Sequence, residues 1–185
     1  MAEATAVRPA ILLKQLVQRT NTRKLAQEID RGDDQGEGES MVQQVTVIGA
    51  GTMGLGIAQV TALHGITTIL CDVSEDLLVS ACSRIEASVE KGIDRGKTPP
   101  EARDRVQQSL TTSTSTVEAC SGSDFVIEAV PESLDLKAGI FTEVEKVVDS
   151  HAILATNTSS LPISKIAGCL ENPQRFIGMH FFNPV

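Results

Sequence analysis

The chain has no tryptophan and no tyrosine, and 5 phenylalanines supply its aromatic surface. Without aromatic side chains interleaved among basic ones, a platform for stacking bases is not expected. Basic charge is also short: 16 lysines and arginines stand against 24 acidic residues, for a net charge of −8. That balance repels phosphate backbones and argues against a nucleic-acid partner. Long apolar runs are missing as well, with nothing near the roughly 20 residues of a membrane span, so no membrane partner is expected. The 4 cysteines (Cys71, Cys82, Cys120, Cys169) are scattered without a CxxC pair, and the 3 histidines show no metal-ligand spacing. This excludes a disulfide framework and a metal centre, and points to reduced, intracellular thiols filling small core positions. What is present is 41% hydrophobic residues over 185 positions, enough for one domain and an appendage.

The appendage is residues 1–40. Residues 7–27 carry five basic residues and a short apolar group, and 30–40 (DRGDDQGEGES) are acidic, glycine-rich and devoid of apolar side chains. The second part reads as a flexible linker. The first reads as an extension without a targeting role, the domain then being cytoplasmic. The alternative is an amphipathic targeting segment in residues 1–27, which would send the protein to the mitochondrial matrix. The folded unit is expected at 41–185, from Met41.

The folded unit is organised around Val45-Thr46-Val47-Ile48 followed by Gly49-Ala50-Gly51-Thr52-Met53-Gly54. Four β-branched residues in a row fit a strand buried on both faces of a parallel sheet. A helix is expected to follow directly. In a strand–GxGxxG–helix setting, Gly49 allows the tight turn, Gly51 lets the backbone approach a pyrophosphate, and Gly54 permits close helix–strand packing. The helix N-terminus then faces the phosphates. Thr67–Cys71 reads as the second strand. Asp72 follows it about 20 residues after Gly51, where a carboxylate accepts from a ribose hydroxyl; capping the next helix is the alternative role.

Further on, a helix is expected over 74–90, capped by Ser74, with Leu77, Leu78, Ala81, Ile85 and Val89 inward. A second helix over 101–108 makes a pair larger than a strand crossover needs, so a ligand is expected near it. A weak strand at 110–112 and one helical turn at 117–120 precede a buried strand over 124–130. Residues 134–148 read as a helix with Leu136, Ile140, Val144 and Val147 inward. Strands at 152–156 and 176–181 flank a short helix over 162–167. Alternating strands and helices define an α/β, doubly wound parallel sheet of Rossmann type with right-handed crossovers. Polar residues collect after the carboxyl ends of the strands, where such sheets bind ligands.

Four segments occur in order: Gly49-Ala-Gly-Thr-Met-Gly, Val126-Ile-Glu-Ala-Val-Pro-Glu132, Ala155-Thr-Asn-Thr-Ser-Ser-Leu161 and Gly178-Met-His-Phe-Phe-Asn-Pro-Val185. With them, residues 42–185 resemble the NAD-binding domain of 3-hydroxyacyl-CoA dehydrogenases, including the bacterial 3-hydroxybutyryl-CoA type. The resemblance implies NAD as cofactor and oxidation of a 3-hydroxyacyl-CoA to the 3-oxoacyl thioester, in fatty-acid β-oxidation or butanoate-type metabolism. His180 matches the catalytic histidine, a task suited to an imidazole, whose ordinary pKa is roughly 6.5. Ser159 matches a serine that hydrogen-bonds the substrate oxygen beside the nicotinamide. Glu132, Lys137 and Asn183 match cofactor contacts, although Lys137 read alone is a solvated helix lysine. Ser88 and Arg95, on the extra helix pair, fall where the family holds CoA.

The family pairs its histidine with a glutamate about a dozen residues further on, and carries a C-terminal helical domain that makes most of its homodimer contact. Both positions lie past Val185, so this chain is expected to be a cofactor domain without its orienting carboxylate. Two other readings are a β-hydroxyacid dehydrogenase, which shares the Gly-loop but lacks His-Phe-Phe-Asn-Pro, and a dinucleotide-binding or structural protein without turnover.

Overall fold

The structure is a computed structural model that describes residues 42–183 and 185. The expectations for the extension over residues 1–40 and for Met41 lie outside the described residues. Among the described residues there are six strands: β1 (Gln44–Ile48), β2 (Thr67–Cys71), β3 (Leu110–Ser113), β4 (Phe125–Glu128), β5 (Ile153–Thr156) and β6 (Phe176–Gly178). Between them run helices α1 (Thr52–Leu63), α2 (Glu75–Asp94), α3 (Ala102–Ser109), α4 (Thr116–Cys120), α5 (Leu134–Val144) and α6 (Ile163–Ala167).

All strand pairs are parallel, and the order is β3-β2-β1-β4-β5-β6. The chain therefore winds outward from β1 in one direction, returns, and winds outward in the other from β4. The two halves meet between β1 and β4, where their helices diverge and leave a crevice at the carboxyl ends. Strand alternation sends side chains to opposite faces. Phe125 and Ile127 of β4 join the core beneath α1 to α3 with Ile57, Leu70 and Ile85. Val126 joins the other core with Phe141, Leu154 and Ile166. Both faces are covered, which is why β1 and β4 tolerate almost no exposed residue.

Local signals set most element ends. Ser74, Ser115 and Ser133 cap α2, α4 and α5 by accepting from the backbone N–H three residues on. Gly65 closes α1 with φ +76.

Several expected boundaries and faces differ. Helix α2 continues past Glu90 and through Gly92 to Asp94, and at Gly92 a Cβ would collide with the Thr98 hydroxyl. Leu77 and Leu136 are exposed rather than inward. On α5 the buried face is Lys137, Phe141 and Val144, and Val147 lies in the turn after the helix, half-buried. Strand β4 spans Phe125–Glu128, shorter than expected at both ends, and just before it the Asp124 carboxylate accepts from the Gln43 and Gln44 N–H groups at 2.8 and 2.9 Å. Strand β6 stops at Gly178, and the Phe181 N–H goes to the Asn157 side chain instead of a neighbouring strand. Cys71 and Cys120 fill core positions as expected, whereas Cys82 is half-buried and Cys169 exposed.

Candidate active site

The crevice is built first from backbone. Gly49 has φ +104, in the left-handed region, and a Cβ there would press to 2.8 Å from the Ala129 carbonyl oxygen of the β4 turn. A Cβ on Gly54 would lie 1.7 Å from the Gly49 carbonyl oxygen, so only glycine lets α1 start this close to β1. Gly51 differs. It is exposed, has φ −67, and open space lies where its Cβ would be. No side chain caps α1, and its first turn holds no acidic residue. Bare N–H groups over an open glycine form a cradle suited to a pyrophosphate.

Asp72 stands at the end of β2, half-buried beside this loop. Its Oδ2 accepts from the Ala50 N–H at 2.8 Å and its Oδ1 from the Ser74 N–H at 3.0 Å. The helix cap falls to Ser74. Asp72 thus ties the Gly-loop to the start of α2 and keeps a fixed acceptor at the place a ribose would occupy.

After β4 the chain reaches Glu132, whose Oε1 accepts from the Thr158 hydroxyl and from the Ser160 hydroxyl at 3.1 Å. Its Oε2 lies 3.2 Å from the Lys137 ammonium. Burial raises the carboxyl's pKa, but the bonds from Thr158, Lys137 and Ser160 outweigh it and hold the pKa down at about 2. Lys137 is no solvated helix lysine. It is fully buried, and its ammonium also meets Glu128 Oε1 at 2.7 Å and the Val130 carbonyl at 3.3 Å. Glu128 is fully buried in turn, accepting from the Val130 N–H at 2.7 Å and the Thr156 hydroxyl at 2.6 Å. Reading the sequence alone missed Glu128 as a site residue. One signal was available: a carboxylate closing a run of buried apolar residues requires a cation.

Ser159 lies exposed on the loop after β5, between the two residues bonded to Glu132. His180 follows β6, half-buried, with its ring centroid 4.6 Å from that of Phe182. Asn157 Oδ1 accepts from the Phe181 N–H at 2.9 Å, so the Ser159 loop and the His180 segment are joined. Among the described residues no carboxylate pairs with His180; Glu128 and Glu132 are committed elsewhere. Asn183 is exposed just beyond. Ser88 and Arg95 are exposed on and just after α2, and the Ser88 hydroxyl accepts from the Gln59 amide of α1 at 3.1 Å. The structure brings Gly49 to Gly54, Asp72, Glu132, Ser159 and His180 to one edge of the sheet. Ser88 and Arg95 lie further along the helix pair.

This fold and cradle define a dinucleotide-binding domain of the Rossmann type. Comparison with known proteins gives the family: residues 44–185 match the model of the 3-hydroxyacyl-CoA dehydrogenase NAD-binding domain. The chain belongs to that family, as its NAD-binding domain. It is 43% identical over 145 residues to the 3-hydroxybutyryl-CoA dehydrogenase of Mycobacterium tuberculosis, covering 78% of this chain and 50% of that protein. It is 41% identical to the mitochondrial hydroxyacyl-coenzyme A dehydrogenase of Rattus norvegicus, over 78% of this chain and 48% of that one. A crystal structure of the 3-hydroxybutyryl-CoA dehydrogenase of Escherichia coli superposes with a TM-score of 0.75 at 42% identity, covering 77% of this chain and 30% of that chain. The chain spans about half the length of the first two relatives.

Proposed function

We propose that the chain is the cofactor half of an enzyme that oxidises the hydroxyl carbon of a 3-hydroxyacyl-CoA to the 3-oxoacyl thioester. The observation that carries this reading is the Asn157–Phe181 bond, which joins the Ser159 loop to the His180 segment on the edge holding the Gly-loop. The names of the relatives support the same substrate class. The Gly49–Gly54 loop and Asp72 would hold the pyrophosphate and a ribose, with Glu132 and Asn183 toward the other end of the cofactor. NAD, when bound, supplies the hydride acceptor. His180 takes the hydroxyl proton, Ser159 donates a hydrogen bond to the substrate oxygen, and Arg95 and Ser88 meet the CoA portion. A homodimer belongs to this reading too. So does a reducing compartment, which suits four free thiols: the cytoplasm, or the mitochondrial matrix if a reporter fused to residues 1–27 is imported.

The second reading, NAD binding without turnover, is favoured by one feature: His180 has no carboxylate to orient it among the described residues. Measuring NADH binding beside acetoacetyl-CoA reduction separates the two. The first reading expects NADH binding by this chain, reduction far slower than a complete family member's, and recovery of part of it when a relative's helical domain is supplied. In that completed enzyme His180→Ala lowers turnover by about 10²–10⁴-fold with NADH affinity unchanged. Binding with no reduction even in the completed enzyme supports the second reading. Failure to bind NADH overturns both.

A further inference from the structure

Helix α1 holds a second glycine that neither its turn nor its backbone requires. Gly56 lies inside the helix, half-buried and with ordinary helical φ, although glycine is among the poorest helix formers. The reason for it lies across the helix surface. A Cβ built on Gly56 would come 2.8 Å from Val185 Cγ2 and 3.0 Å from Val185 Cβ. Valine is stiff about χ1, and rotating it leaves Cβ where it is. A methyl group at position 56 therefore has room only if α1 parts from the backbone that carries Val185.

That backbone is the segment after β6, which bears His180. Strand β6 is three places from β1 in the sheet, yet Met179 and Phe181 are buried in the core that holds Ile57 and Ala58 of α1. Between and beyond these anchors, His180 is half-buried and Phe182 exposed, their ring centroids 4.6 Å apart. The Phe181 N–H is held by Asn157 Oδ1 at 2.9 Å, and Val185 rests against Gly56. The segment is thus fixed on the β5 side by a hydrogen bond and on the α1 side by close packing. We propose that Gly56 is a positioning residue for His180: its bare Cα is the seat on which this segment closes, and the seat sets where His180 stands at the sheet edge. The inference rests on the dehydrogenase reading for what His180 does, whereas the seat is observed with no ligand present.

The first test is NMR on the free chain. A nuclear Overhauser contact should join the Val185 methyl groups to the Gly56 Hα protons, and the bonded Phe181 amide should exchange slowly with solvent. Gly56→Ala should speed exchange of that amide about tenfold and shift the His180 ring signals. Val185→Gly opens the seat from the other side. On that background Gly56→Ala should move neither signal, because two changes at one contact are not additive. A missing Val185–Gly56 contact would overturn the proposal. So would a Gly56→Ala variant with unaltered His180 signals, or one whose effect is the same with and without the Val185 side chain.

The second test is turnover in the enzyme completed with a relative's helical domain. Gly56→Ala should lower kcat for acetoacetyl-CoA reduction about tenfold, since small misplacements of a reacting group are costly, and leave the KM for NADH unchanged. Adding Val185→Gly should restore most of kcat. If the new methyl instead obstructs a ligand directly, a KM rises and the defect persists with Val185→Gly; that result would overturn the positioning role. A completed wild-type enzyme that reduces no acetoacetyl-CoA would overturn the dehydrogenase reading and His180's part in it, and the NMR cycle then decides the seat by itself.

Discussion

Gly51 and Gly54 lie three positions apart, yet a methyl group would do different things at each. At Gly54 it would collide with the Gly49 carbonyl, so Gly54→Ala should destabilise the domain by about 3 kcal/mol, or more if the loop cannot shift. At Gly51 the methyl meets nothing and φ is ordinary, so Gly51→Ala should leave stability within about 0.5 kcal/mol. It should still weaken NADH, because the methyl occupies the face a pyrophosphate must approach. Urea melts and NADH titration of both variants check this; equal stability losses would remove the distinction. Asp72 gives the second prediction at this scale. Its carboxylate is already aligned by the Ala50 and Ser74 N–H groups, and bonds to charged groups are worth roughly 1.5–3 kcal/mol. Asp72→Ala should weaken NADH about tenfold and narrow its preference over NADPH, whose extra phosphate this carboxylate repels. Equal affinities for the two cofactors in the wild type would refute that assignment.

Helix α5 shows how one element serves both core and site. Ser133 starts it, accepting from the Leu136 N–H, and one turn later the same helix delivers Lys137 to Glu128. The cap therefore sets where the buried ammonium falls. Ser133→Ala should cost about 1 kcal/mol in urea unfolding and weaken NADH as well, whereas Ser115→Ala on α4 should lose stability alone. A Ser133 variant with unaltered NADH binding would show the cap has no reach into the site. Helix α5 also shows what periodicity holds. Lys137, Phe141, Val144 and Val148 recur at helical spacing and are all buried; this stripe could have marked Lys137 as inward. Taking Leu136 as inward instead rotated the face by one residue, since leucine on hydrophobicity alone outranks lysine.

For the molecule as a whole, its carboxylates and thiols bound the pH range of stability. Burial raises the Glu132 pKa, but bonds from Thr158 and Lys137 carry it below the ordinary 4.5 to about 2. For Glu145, burial is likewise outweighed by the N–H groups of Glu171 and Asn172 and by Arg175, and its pKa is lowered. A depressed carboxylate contributes fully above its unfolded value and loses that contribution as pH falls through its folded value. The acid limb should therefore steepen from about pH 4.5 toward 2 and flatten in Glu132→Gln. Cys120 acts at the other end, burial pushing its thiol from 9.0 up to about 12. The folded state keeps that proton after the unfolded chain has released it, so stability should fall as pH rises above 9. Melting temperature against pH checks both limbs, and an acid limb unchanged in Glu132→Gln would count against the carboxylate's part.

The sequence by itself determined the parallel α/β class, the Gly-loop, the serine cap of α2 and the family motifs. Those follow from backbone constraint and side-chain period, which act within a few residues. It placed residues on faces less well, as Leu77, Leu136 and Cys169 show. Only the tertiary structure decided that Asp72 holds Ala50, that Asn157 holds Phe181, and that Glu128 and Glu132 share one buried lysine. The first two join loops more than 20 residues apart, set by which strands lie side by side, while the lysine's partners are near in sequence and are set by how α5 packs back on the end of β4. In an order that runs β1-β4-β5 while the chain runs β1-β2-β3, neighbours in space are not neighbours in sequence. A buried charge is then legible from sequence only as a residue out of keeping with its surroundings, and its partner emerges when the sheet is assembled.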